Sequence, residues 1–193
     1  VRGLLLPLGL LGIFCGLILL QPNLSSAGLL GLAGVLMIFL AGAPKRHLAI
    51  PLGAGVAGVL VALQTHPYMM GRVTTFVRFV LGGELDARGS GWQLDQSLIA
   101  IGSGGVIGKG LGAGLQKYLF LPEAHTDFIF SILAEELGFV GATGLMALMA
   151  MLVWRGLRVA ARAQDPFAGL LAAGLALQIG LYALANLAVA TGL

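Results

Sequence analysis

Charge is what this chain has least of. Lys, Arg, Asp and Glu make up 10% of its 193 residues, while 58% are hydrophobic and the mean hydropathy is +0.97. An ordinary soluble domain carries roughly 25% charged residues, so a soluble globular fold is excluded and the chain reads as an integral membrane protein. A single cysteine, Cys15, excludes an intrachain disulfide and leaves the compartment unread. Its apolar surroundings suit a small buried hydrophobe. The net charge of +3 comes from scattered residues, with no basic stripe, which excludes nucleic acid as a partner. The three histidines, His47, His66 and His125, show neither the i, i+4 nor the HExxH spacing of protein zinc ligands. A divalent cation such as Mg or Mn, held by carboxylates together with a substrate phosphate, stays open as a cofactor.

Glycine, by contrast, is plentiful. The 31 glycines are scattered among Leu, Ala and Val, where small residues let transmembrane helices approach closely. About 20 apolar residues cross a bilayer, and the uncharged runs predict an all-α polytopic bundle with about five transmembrane helices, at about 3–20, 27–43, 48–64, 137–154 and 167–190. Arg2, Lys45, Arg46, Arg155, Arg158 and Arg162 fall at alternate helix ends and so share one side. Short loops rich in Lys and Arg stay in the cytoplasm, which puts the loop 65–136 outside. That loop holds seven of the eight acidic residues and is too long for a passive connector. Within it, "SLIAIGSGGVI" is apolar but too short to cross, and "HTDFIFSILAEELG" begins polar and becomes helical. Both predict re-entrant or half-inserted helices around a cavity open to the outer face. Trp92, Tyr118 and Trp154 suit interfacial anchors. The apolar opening at Val1, without a cleavage signature, and the apolar stop at Leu193 suggest an internal segment of a longer protein.

The stretch "GSGGVIGKGLGAG", residues 102–114, invites comparison with a phosphate loop, but Ser103 and Gly110 stand where the motif needs Gly and Ser or Thr. Two readings of it remain: a tight turn with a snorkelling Lys109, or backbone amides and Lys109 facing a pyrophosphate. In a helix running from about Thr126, Asp127, Ser131 and Glu135 share one face. The two acids would then lie roughly 12 Å apart, whereas a paired-carboxylate glycosidase needs about 5 to 9.5 Å. Glu135 and Glu136 read most simply as solvated headgroup-level charge. Asp127 reads either as a first-turn acid capped by Thr126 or as a general base, for which desolvation or a neighbouring acid such as Glu123 must oppose the helix dipole. Gln178, Tyr182 and Asn186 form a polar stripe suited to interhelical hydrogen bonds.

Taken together, "GSGWQLDQSLIAIGSGGVIGKGLG", "LPEAHTDFIFSILAEELGFVG", "LLQPNLSSAGLLGLAGVLMIFLAG" and "PYMMGRVTTF" resemble, in order and spacing, the SEDS (shape, elongation, division and sporulation) family that includes FtsW and RodA. "GRVTTF" and "GSGWQLDQS" lean toward the division member. The resemblance implies an inverting enzyme that polymerises lipid II into glycan strands on the outer face of the bacterial cytoplasmic membrane. Its essential acid is the Asp of "HTDFIF", Asp127 here, acting as general base. It also implies that Arg72 and Lys109, with a divalent ion as a further candidate, stabilise the departing pyrophosphate. Gln96, Ser97, Glu123, His125 and Thr126 match motif positions that shape the cavity. Lipid II, a class B penicillin-binding protein and other divisome or elongasome membrane proteins are the implied partners. A lipid II flippase and a noncatalytic scaffold are the rival functions. In "QPNLSS", Asn23 replaces the acid of the family's "QPDLGT", and the chain ends before the family's "PLPFxSYGG" region, so it is expected to be inactive alone.

Overall fold

The computed structural model describes residues 2–21, 23–65, 70–71, 73–74, 77–78, 81, 90–116 and 126–192. These residues contain six helices and no strand: α1 (Arg2–Leu20), α2 (Leu24–Leu40), α3 (Lys45–Thr65), α4 (Ser90–Gly104), α5 (Ile129–Arg162) and α6 (Pro166–Thr191). The fold is that of a helical membrane protein. Helices occupy all five stretches expected to cross the membrane. Among the described residues, α5 and α6 are the two long and apolar enough to span it, while Leu4–Leu20 and Leu24–Leu40 form shorter apolar helices. In α3 the polar start, Lys45, Arg46 and His47, dilutes the apolar run. The chain divides into two compact units, one of residues Val1–Met70 and Val153–Leu181, the other of Gly71–Leu152 and Tyr182–Leu193.

In the first unit α2 packs against both α1 and α3. Val35, Ile38 and Leu48 form its buried cluster, with Leu4, Leu8, Leu11 and Ala43 against it. α1 and α2 come close at Gly34, where an added Cβ would meet the Leu11 side chain. The same small-residue packing joins the end of α5 to α6, with Gly156 facing Ala176 and Gly180 facing Val153. Two caps set helix starts. Asn23 accepts the Ser26 amide at 3.0 Å and opens α2, and Asp165, the acid outside the long loop, accepts the Ala168 amide at 3.0 Å and opens α6. Asn and Asp cap about equally well, so Asn23 in place of the family's acid costs α2 nothing. Trp154 is half exposed, and the Arg158 guanidinium lies 3.7 Å over its ring.

The second unit is built on α4 and the first part of α5. Small residues recur along one face of α4 at Ser97, Ala100 and Gly104, after Leu94, and all four residues are buried there. That face lets the backbones meet, since a Cβ on Gly104 would collide with the carbonyl of Ala134. Gly138, with φ 67° and ψ −167°, breaks α5 into a short segment, 129–137, and a long one beyond.

Candidate functional site

At the break in α5 two helical hydrogen bonds are exchanged for four bonds to the glycine loop. In an unbroken helix Phe139 and Val140 would donate to the carbonyls of Glu135 and Glu136. Here they donate to Gly105 O at 2.9 Å and Val106 O at 3.1 Å, and the vacated carbonyls of Glu135 and Glu136 accept from the amides of Lys109 and Gly110, each at 3.0 Å. These four backbone groups opened by the break are thereby satisfied, which an apolar environment demands. The contact needs glycine on both sides. Gly108 (φ 87°) and Gly138 (φ 67°) lie backbone to backbone, so a Cβ on either would overlap the other residue's surroundings. The loop is thus a backbone plug in a broken helix. Within residues 102–114 the amides of Gly108, Lys109, Gly110 and Ala113 bond to carbonyls and so are not free to face an anion.

Lys109 and Glu135 lie at the centre of this plug. The Lys109 ammonium meets Glu135 Oε1 at 2.8 Å, and the side chains are 36% and 0% exposed. The amides of Leu115 and Gln116 also donate to the Glu135 carboxylate, at 3.2 Å and 3.3 Å. The expectation of solvated headgroup-level charge therefore fails for Glu135. A carboxylate can be buried here because a cation and two amides surround it, as a charge in low dielectric requires. The signal available beforehand was its i, i+4 spacing from Ser131, which put both on one face.

Ser131 is equally buried. Its hydroxyl lies 2.6 Å from that of Ser97, and Ser97 bonds to the carbonyl of Ala190 at 2.6 Å. With the Ser97 proton committed to Ala190, Ser131 donates to Ser97. This chain ties α4, the first segment of α5 and the end of α6 together, and it is where the structure places Ser97, a residue the sequence put at the cavity wall. In α6, Asn186 Nδ2 bonds to the Tyr182 carbonyl of its own helix at 3.5 Å, where an interhelical partner was expected.

Asp127 lies in the turn 126–128 that leads into α5. The helix starts at Ile129 and Phe128 supplies the first carbonyl, which accepts the amides of Ser131 and Ile132. Asp127 therefore stands before the first turn, and the expected helix start at about Thr126 moves by three residues. Phe128 is buried and packs on Ile132, while Thr126 and Asp127 are exposed. Among the described residues nothing bonds to the Asp127 carboxylate. Gln96 is half buried on α4. Arg72, Glu123 and His125 lie outside the described residues, as does Tyr118. Among the described residues no three His, Cys, Asp or Glu side chains gather as a metal site.

A sequence profile for FtsW, RodA and SpoVE, described as a cell cycle protein, matches residues 1–193. The chain is 44% identical over 189 residues to a probable peptidoglycan glycosyltransferase FtsW of Thiomicrospira cyclica, covering 94% of this chain and 46% of that protein. It is 38% identical over 192 residues to the stage V sporulation protein E of Bacillus subtilis, covering 100% and 51%. A probable peptidoglycan glycosyltransferase FtsW of Thioalkalivibrio sp. is 44% identical over 196 residues, covering 100% and 48%. The chain spans about half the length of the curated relatives it matches.

Proposed function

Because the chain belongs to the FtsW/RodA/SpoVE family of cell cycle proteins, we propose that it carries the catalytic carboxylate of a peptidoglycan glycosyltransferase, one that polymerises lipid II on the outer face of the bacterial cytoplasmic membrane. The observation that carries this reading is Asp127. It is an exposed acid in the turn entering α5, beside a rigid unit of cross-bonded loop and broken helix. In the accompanying topology α1, α2, α3, the distal part of α5 and α6 make five crossings, the Lys and Arg clusters face the cytoplasm, and 65–136 faces outward.

The reaction is a displacement at an anomeric carbon. Asp127 takes the proton of the acceptor sugar hydroxyl as that oxygen bonds to the anomeric carbon of the growing strand. The bond from that carbon to the polyprenyl pyrophosphate breaks, its electron pair leaves with the pyrophosphate, and the configuration inverts. Positioned general-base catalysis contributes about 10²- to 10⁴-fold. Stabilising the departing pyrophosphate falls to Arg72, because the Lys109 ammonium is already paired with Glu135. Gln96, Glu123, His125 and Thr126, which match the motif positions, are assigned to substrate binding on the family resemblance. A class B penicillin-binding protein supplies the cross-linking partner, with other division or elongation proteins around it.

The test is lipid II polymerisation by the full-length protein reconstituted with a partner that has no glycosyltransferase activity of its own. Asp127→Asn is expected to lose glycan strands by at least about 10²-fold with expression and partner binding intact. Normal polymerisation by the variant would refute the base assignment and move a lipid II transporter ahead.

A further inference from the structure

The reaction assigned to Asp127 makes no use of Glu135, the one fully buried charge among the described residues. We infer that Glu135 is a positioning residue for that reaction: its carboxylate clasps the start of the 116–127 stretch to the same short segment of α5 into which the other end of the stretch runs. This inference rests on the reading of Asp127 as the base.

At the near end, the amides of Leu115 and Gln116 donate to Glu135 Oε1 and Oε2 at 3.2 Å and 3.3 Å. At the far end, Asp127 leads through the buried Phe128 into Ser131 and Ile132. Eleven residues separate Gln116 from Asp127, and both ends attach to segment 129–137. The clasp is itself held in place by Lys109. Lys109 holds Glu135 twice, by its ammonium on the carboxylate at 2.8 Å and by its amide on the main-chain carbonyl at 3.0 Å. The Leu115 and Gln116 amides complete the hydrogen bonding that a buried carboxylate needs. The two amide bonds tie the pair to the stretch that delivers Asp127. Displacing a catalytic group by about 1 Å costs on the order of 10²-fold in rate, so the clasp acts on turnover, with little effect on substrate affinity.

The test uses the full-length protein in proteoliposomes with lipid II and its penicillin-binding partner, comparing wild type, Glu135→Leu, the double variant Lys109→Met/Glu135→Leu, and Asp127→Asn. Glu135→Leu is expected to lower kcat about 100-fold with KM within about twofold, and to speed amide hydrogen exchange at Leu115 and Gln116. Replacing both members of a buried ion pair by apolar residues commonly restores stability, so the double variant should recover the thermal midpoint while kcat stays low. Recovery of wild-type kcat in the double variant would reduce Glu135 to half of a structural pair and overturn the clasp, as would unchanged exchange at Leu115 and Gln116 in Glu135→Leu. A fully active double variant beside an inactive Asp127→Asn sinks the clasp and leaves the base standing. An active Asp127→Asn sinks the base reading and the clasp's kinetic role with it.

Discussion

Replacing Gly138 by alanine tests whether the break in α5 is built in or incidental. The residue sits at φ 67° and ψ −167°, a region that is essentially glycine-only and costs another residue about 1–3 kcal/mol. The added Cβ would also lie 2.6 Å from the carbonyl carbon of Ile107 and from Val106 O, both backbone atoms with no flexible end to yield. Alanine has one escape, which is to straighten the helix. Straightening restores two helical bonds and recovers about 1 kcal/mol of helix propensity. It also abandons the four bonds between 105–110 and 135–140, a net loss of two at about 1 kcal/mol each, and strands the loop's polar groups, each at about 1–3 kcal/mol. By either route the variant should be destabilised by about 2–4 kcal/mol. Gly144→Ala is the control, because it lies in the same helix with nothing within 4 Å of the added Cβ, and it should be neutral or slightly stabilising. Thermal unfolding in detergent, with amide exchange at Lys109 and Gly110, measures both. A Gly138→Ala protein as stable as wild type, with those two amides still protected, would refute the exchange of helical for loop bonds.

Two further outcomes follow from the packing. Asn23→Ala should cost about 1 kcal/mol through the lost cap of α2 while Asn23→Asp stays near neutral, and equal losses in thermal unfolding would show that the side chain acts otherwise. Ser97→Ala should cost about 1–3 kcal/mol by orphaning the Ser131 hydroxyl and the Ala190 carbonyl. Ser97→Ala/Ser131→Ala should then cost less than the sum of the two single variants, which a double-mutant cycle reads directly.

Hydropathy carries the membrane class and the helix positions because burial in lipid acts on each residue locally and sums along a segment. The places of α1, α2, α3 and α6 were legible for that reason, whereas α4 starts at Ser90, seven residues before the apolar stretch "SLIAIGSGGVI". The helix caps were legible only afterwards. Asn23 and Asp165 are ordinary capping residues, but a polar residue between two apolar runs is equally ordinary in a solvated loop, and only the accepted amide marks it as a cap. Glu135 was misread because an acid near a helix end is cheap when solvated, and nothing along the chain says which acids a distant lysine and two distant amides will enclose. The paired glycines gave a partial hint. The glycines of 102–114 mark a loop with unusual backbone freedom, while the backbone they approach lies some thirty residues further on.

By itself the sequence determined the helical membrane class, the family, and Asp127 as the acid worth testing, since these rest on composition, periodicity and motif order. Tertiary structure alone decided that α5 is broken at Gly138 and plugged by the glycine loop, that Lys109 faces Glu135, and that Ser97 is enclosed between two helices and a carbonyl. The physical reason is that a buried polar group is stable only when its partners arrive, and those partners come from segments far apart in the chain.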